Sequence, residues 1–70
     1  MIEIKIAENL RQLMKDCNVN QVQLAKEIGV AQSAVSAWLH NLKEPSITSL
    51  WLLADYFNCN VDELIGRHNI

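Results

Sequence analysis

The chain has one proline, two glycines and two cysteines in 70 residues. With so few breakers and half of its residues hydrophobic, it is not a low-complexity or disordered polymer. Cys17 and Cys59 cannot supply a disulfide scaffold. No CxxC or HxxxH spacing joins them to His40 and His68 as a zinc site, so no metal is expected, and both are expected to be buried free thiols. The longest apolar run is "LWLLA" at 50–54, too short to cross a membrane. The N-terminus lacks a basic region followed by a long apolar stretch, so a cytoplasmic setting is the expectation.

Catalytic signatures are missing too. No nucleophile is spaced to pair with a base, and no Gly-rich loop could cradle a phosphate. Asp62 and Glu63 are adjacent, so on a helix they diverge and serve a cap and its dipole. No enzyme activity, cofactor or small-molecule effector is expected.

Positive charge is scarce. Six basic and eight acidic residues leave a net charge of −2, and the deficit is uneven. Residues 1–43 hold five basic residues (Lys5, Arg11, Lys15, Lys26, Lys43) and four acidic, net +1; residues 44–70 hold only Arg67 against four acidic, net −3. An anionic partner should meet the first part of the chain.

What is present is helical punctuation for a single domain spanning 1–70. Ile6, Leu10, Leu13, Met14 and Cys17 recur at spacings of three and four, predicting a first helix; its start is open, because Ile2, Ile4 and Ile6 also alternate as in a strand. Asn20 with Gln23 has capping-box spacing, which starts a second helix at Gln21 with apolar positions Val22, Leu24, Ala25 and Ile28. Gly29 suits the left-handed residue that ends a helix. A third helix starts near Gln32. After the loop "HNLKEPS", Ser46 can cap a fourth helix whose core stripe is Ile47, Leu50, Leu53, Ala54 and Phe57, with Asn58 as terminator. Asn60 and Glu63 repeat the cap spacing for a short fifth helix closed by Gly66. The fold class is all-α, a compact five-helix domain.

The stretch "QSAVSAWLH" at 32–40 is unusual. Val35 and Trp38, with Leu39 beside them, can face a core. The other side shows Gln32, Ser33, Ser36 and Ala37, short and uncharged, where a solvated helix face would carry Lys and Glu. A very short turn joins this helix to the one before it. Gln21, Ala25, Gly29, Val35 and Trp38 fall on the helix-turn-helix pattern at about 21–40, whose second member can lie in a DNA major groove.

Over residues 6–66 the sequence resembles the phage Cro and lambda-repressor type of helix-turn-helix domain. "GVAQSAVSAWLHN" is similar to the turn and recognition helix of lambda repressor, and "PSITSLWLLADYFNCNVDELIG" to the family's last two helices. The resemblance implies a sequence-specific regulator of transcription, a repressor, bacterial or phage-encoded, bound to double-stranded operator DNA. It implies that Gln32 reads a base edge; an amide can take adenine N6 and N7 together. Ser33 matches a second base reader, Ala37 a position that meets the thymine methyl, and Ser36 one within reach of a base or a phosphate. Gln21 matches a glutamine that touches phosphate and steadies the base reader, while His40, Asn41 and Lys43 lie where the family grips the backbone.

Three departures stand out. Met14 and Leu39 replace an arginine–glutamate pair, a swap that packs without loss if well fitted. Ala31 replaces a capping Ser or Thr. No Lys or Arg lies between Lys26 and Lys43, which thins the phosphate grip that dominates affinity.

Pairing is expected to make up for that. Trp51, Leu52 and Tyr56 widen the apolar stripe of the fourth helix. Relatives pair through this end of the fold, so the expected homodimer interface is Leu52, Tyr56, Val61, Ile65 and Ile70, with a short N-terminal arm (1–5) and a C-terminal tail (67–70) flanking the domain. The rival reading is a helix-turn-helix protein-interaction module without strong DNA binding, which the acidic second part of the chain favours slightly.

Overall fold

Five α-helices follow one another in the computed structural model, which describes residues 6–65: α1 (Ile6–Asp16), α2 (Gln21–Ile28), α3 (Gln32–Leu39), α4 (Ile47–Phe57) and α5 (Val61–Ile65). No strand occurs among the described residues. Ile6 is the first helical residue, while Ile2, Ile4, the arm 1–5, Gly66 and the tail 67–70, with Ile70, lie outside the described residues.

The helix ends follow from local chemistry. Asn20 Oδ1 accepts the Gln23 amide at 2.8 Å and Asn60 Oδ1 the Glu63 amide at 2.8 Å, while Ser46 Oγ accepts from Ser49 N at 3.1 Å. Each bond satisfies an amide that the first helical turn leaves free. At the other ends the chain turns left-handed, at Asn18 (φ 56°), Gly29 (φ 76°), Asn41 (φ 58°) and Asn58 (φ 54°). The next amide then reaches back five residues: Val19 to Met14, Val30 to Ala25, Leu42 to Ala37 and Cys59 to Ala54, all at 2.9–3.0 Å. Such reverse bonds close the orphan carbonyls of a helix end. Asparagine tolerates this conformation better than other side-chain-bearing residues.

One core joins all five helices. Leu10, Leu24, Val35, Leu53 and Leu64, one from each helix, have no exposed surface. Each such side chain contributes about 1.5–3 kcal/mol by leaving water. Met14 and Leu39 lie in the same core, and no polar or charged residue is buried among the described residues. The apolar replacement of an ion pair therefore leaves no charge stranded inside.

Three expectations need correction. Ile47 is 86% exposed rather than in the core stripe. At 100° per residue it stands at the stripe's edge, about 70° from its centre. Val22 is 57% exposed, because Gln21, Leu24, Ala25 and Ile28 form the inward face and Val22 points away from it. Cys17 is exposed, being one residue past the end of α1, and Cys59 is only half-buried.

Candidate nucleic-acid interface

The α2–α3 pair is fixed from its apolar side. Leu24, Ala25 and Ile28 of α2 and Val35, Trp38 and Leu39 of α3 are all buried in the shared core. Ala25 is 3% exposed, and its single methyl lets the two helices cross closely. Gly29 turns the chain between them. A Cβ there would meet nothing within 4 Å, so its positive φ, not crowding, calls for glycine.

With that side locked, α3 presents the other. Gln32 and Ser33 are exposed, and Ser36 and Ala37 half-buried. At 100° per residue these four share an arc of about 140° beside the buried one. The helix carries no charged residue. Its exposed face offers an amide, two hydroxyls and a methyl group, which can read donors, acceptors and methyls but cannot bind by charge. Gln21, the first residue of α2, is half-buried on that helix's inward side.

The two ends of α3 differ. At its N-terminus Ala31 makes no side-chain cap. At its C-terminus each of the last four carbonyls has a donor. Ser36 O accepts the His40 amide at 3.0 Å and His40 Nδ1 at 2.8 Å, which places the ring proton on Nδ1. Ala37 O accepts from Leu42 N at 2.9 Å and Trp38 O from Asn41 N at 3.3 Å. Leu39 O accepts from Arg11 Nη2 of α1 at 2.6 Å. His40 is thus the cap residue of α3, and Asn41 holds the left-handed turn. Lys43 follows, exposed, in the loop to α4.

A second surface lies on α4 and α5. Trp51 is 72% exposed and with Ala54, Asp55, Cys59, Asn60 and Val61 lines an open groove of about 300 Å³. Leu52, Tyr56 and Ile65 are half-buried and pack against the core, Tyr56 meeting the Phe57 ring edge-on at 5.0 Å. Val61 is half-buried at the groove. Burial, and then the charge of Glu63, push the Cys59 thiol up, which keeps it neutral. No group of three His, Cys, Asp or Glu among the described residues is placed to hold a metal, and no helix there is long and apolar enough to cross a membrane.

Sequence reasoning missed two features. Arg11 carries no local signal, since its acceptor lies 28 residues away. The exposure of Ile47, four residues before Trp51 on α4, was hidden by its apolar character and helical period.

The helix-turn-helix family model matches residues 10–64, and the chain belongs to that family, with the fold of the phage-repressor DNA-binding domains. It is 34% identical over 63 residues to the HTH-type transcriptional activator BcrR of Enterococcus faecalis, covering 90% of this chain and 31% of that protein. A transcriptional regulator from Listeria innocua superposes with a TM-score of 0.88 at 32% identity, over 99% of this chain and 64% of that one. The P22 c2 repressor, solved with a synthetic operator, gives a TM-score of 0.80 at 30% identity, over 86% of this chain and 91% of that one. The chain spans 31–57% of the length of the curated relatives it matches.

Proposed function

We propose that this chain is a sequence-specific repressor that lays α3 in the major groove of operator DNA and acts as a homodimer. One observation carries the reading: α3 is locked to the core on one side and exposes an uncharged, hydrogen-bonding face on the other. Gln32 takes an adenine edge, Ser33 a neighbouring base and Ala37 a thymine methyl, with Ser36 beside them. Gln21, His40, Asn41 and Lys43 contact the backbone and set the register. The P22 c2 repressor, which resembles the chain over most of both lengths, was solved on an operator. Because BcrR is an activator, the direction of control needs its own readout.

The dimer surface in this reading centres on Trp51 and Val61, with Leu52, Tyr56 and Ile65 at its margins. It supports pairing because a partner would cover the exposed indole and the groove beside it, and pairing doubles a sparse set of phosphate contacts.

Selection from a random duplex pool, followed by titration at two salt concentrations, tests the reading. A recovered palindrome, bound more weakly as salt rises, supports it. A reporter carrying that palindrome over its promoter should fall silent when the protein is made. Absence of duplex binding at low salt, with self-association retained, would assign the fold to protein interaction instead.

A further inference from the structure

The first turn of α3, which carries Gln32 and Ser33, has no side-chain cap to fix it, whereas its last turn is closed at every carbonyl. Three of those four closures come from residues that follow directly in sequence. They bend the chain back on itself but tie α3 to no other helix. Only the Arg11 bond to Leu39 O crosses to a different helix, and at 2.6 Å it is a short, charge-assisted contact. The guanidinium also sits at the negative end of the α3 dipole, which strengthens the bond. Met14 and Leu39, which stand where the resembled family carries an arginine–glutamate pair, pack without direction. Dispersion contacts set the depth of a helix but leave it freer to slide and rotate than a hydrogen bond does.

We propose that Arg11 is a positioning residue for base reading. By holding the last carbonyl of α3 from α1, it fixes the rotation and axial setting of the helix whose first turn meets the bases. This rests on the reading of α3 given above. Arg11 touches no base in this role, and its Nη2 donates to the protein rather than to a phosphate. Base contacts need their atoms placed within tenths of an ångström, while phosphate contacts tolerate more. Loss of the bond should therefore lower discrimination more than total DNA affinity.

The test compares wild type, Arg11→Gln and Arg11→Lys on the selected palindrome and on a scrambled duplex, across a salt series. The expected result for Arg11→Gln is a fall of about three- to tenfold in the ratio of specific to non-specific affinity. The salt slope should stay unchanged, and the amide NMR signals of Gln32 and Ser33 should shift. Arg11→Lys, which keeps a charged donor, should restore most of the ratio. An unchanged ratio in a folded Arg11→Gln protein would overturn the proposal, as would a salt slope reduced by about one unit with the ratio intact, which marks a phosphate contact. If Arg11→Gln is too unstable, the same comparison in an Asn58→Gly background keeps the domain folded, since glycine relieves a left-handed residue remote from α3. If wild type itself does not discriminate, the reading of α3 as base reader fails first, and the role of Arg11 with it.

Discussion

The chain's two tryptophans stand on consecutive helices in opposite settings. Trp38 of α3 is 3% exposed and Trp51 of α4 is 72% exposed. The outward face of α3 is neutral and polar; that of α4 mixes the apolar Ile47 and Trp51 with Thr48 and Asp55, and residues 44–65 contain four acidic and no basic side chains. One helix buries its aromatic group to hold a hydrogen-bonding face steady. The other turns its aromatic group outward. The same residue type is therefore a core anchor in one helix and an exposed side chain in the other, and only burial tells them apart.

Substituting both tryptophans tests this contrast most severely. Trp38→Ala should cost about 3–5 kcal/mol, most of the stability of so small a domain, as read in urea melts. Trp51→Ala should leave the melt within about 0.5 kcal/mol of wild type but weaken self-association in sedimentation equilibrium. Equal costs for the two would erase the distinction. Next in size is Gln32→Ala, expected to lose about 1–3 kcal/mol on the selected palindrome and far less on random duplex. Equal losses on both would remove Gln32 from base reading. Ala31→Ser supplies the cap that α3 lacks and should raise stability by about 1 kcal/mol, seen as a higher urea midpoint at constant slope. No gain would mean that the first turn of α3 is already satisfied in another way. The smallest effect is that of Lys43→Ala, which should weaken specific and random binding alike and flatten the salt dependence by about one unit. An unchanged slope would take Lys43 out of the contact set.

Most helix boundaries were legible because the residues that set them act within a few positions. Asn20, Ser46 and Asn60 cap as their spacing to the next turn suggests, and Gly29 and Asn58 terminate. The face of α3 was legible for a related reason: it departs from ordinary surface composition. What stayed hidden depended on tertiary placement. Ile47 has the correct period for the core but stands exposed at the stripe's edge, Cys17 lies one residue beyond the helix it was assigned to, and the acceptor of Arg11 is a backbone carbonyl that no pattern names.

The locally written helix ends have a kinetic consequence. α1 to α4 each stop at a left-handed residue with its own backbone closure, so each can form and end before it meets its neighbours. All-helical domains dominated by such near contacts fold in about microseconds to milliseconds. The most distant in sequence of the hydrogen bonds described joins α1 to α5, where Asn9 Nδ2 donates to Leu64 O across 55 residues. Closing that loop requires the helices between to be roughly in place. The joining of the chain's two ends is then the late, entropically costly step, and substitutions on α5 should speed unfolding while leaving the folding rate nearly unchanged.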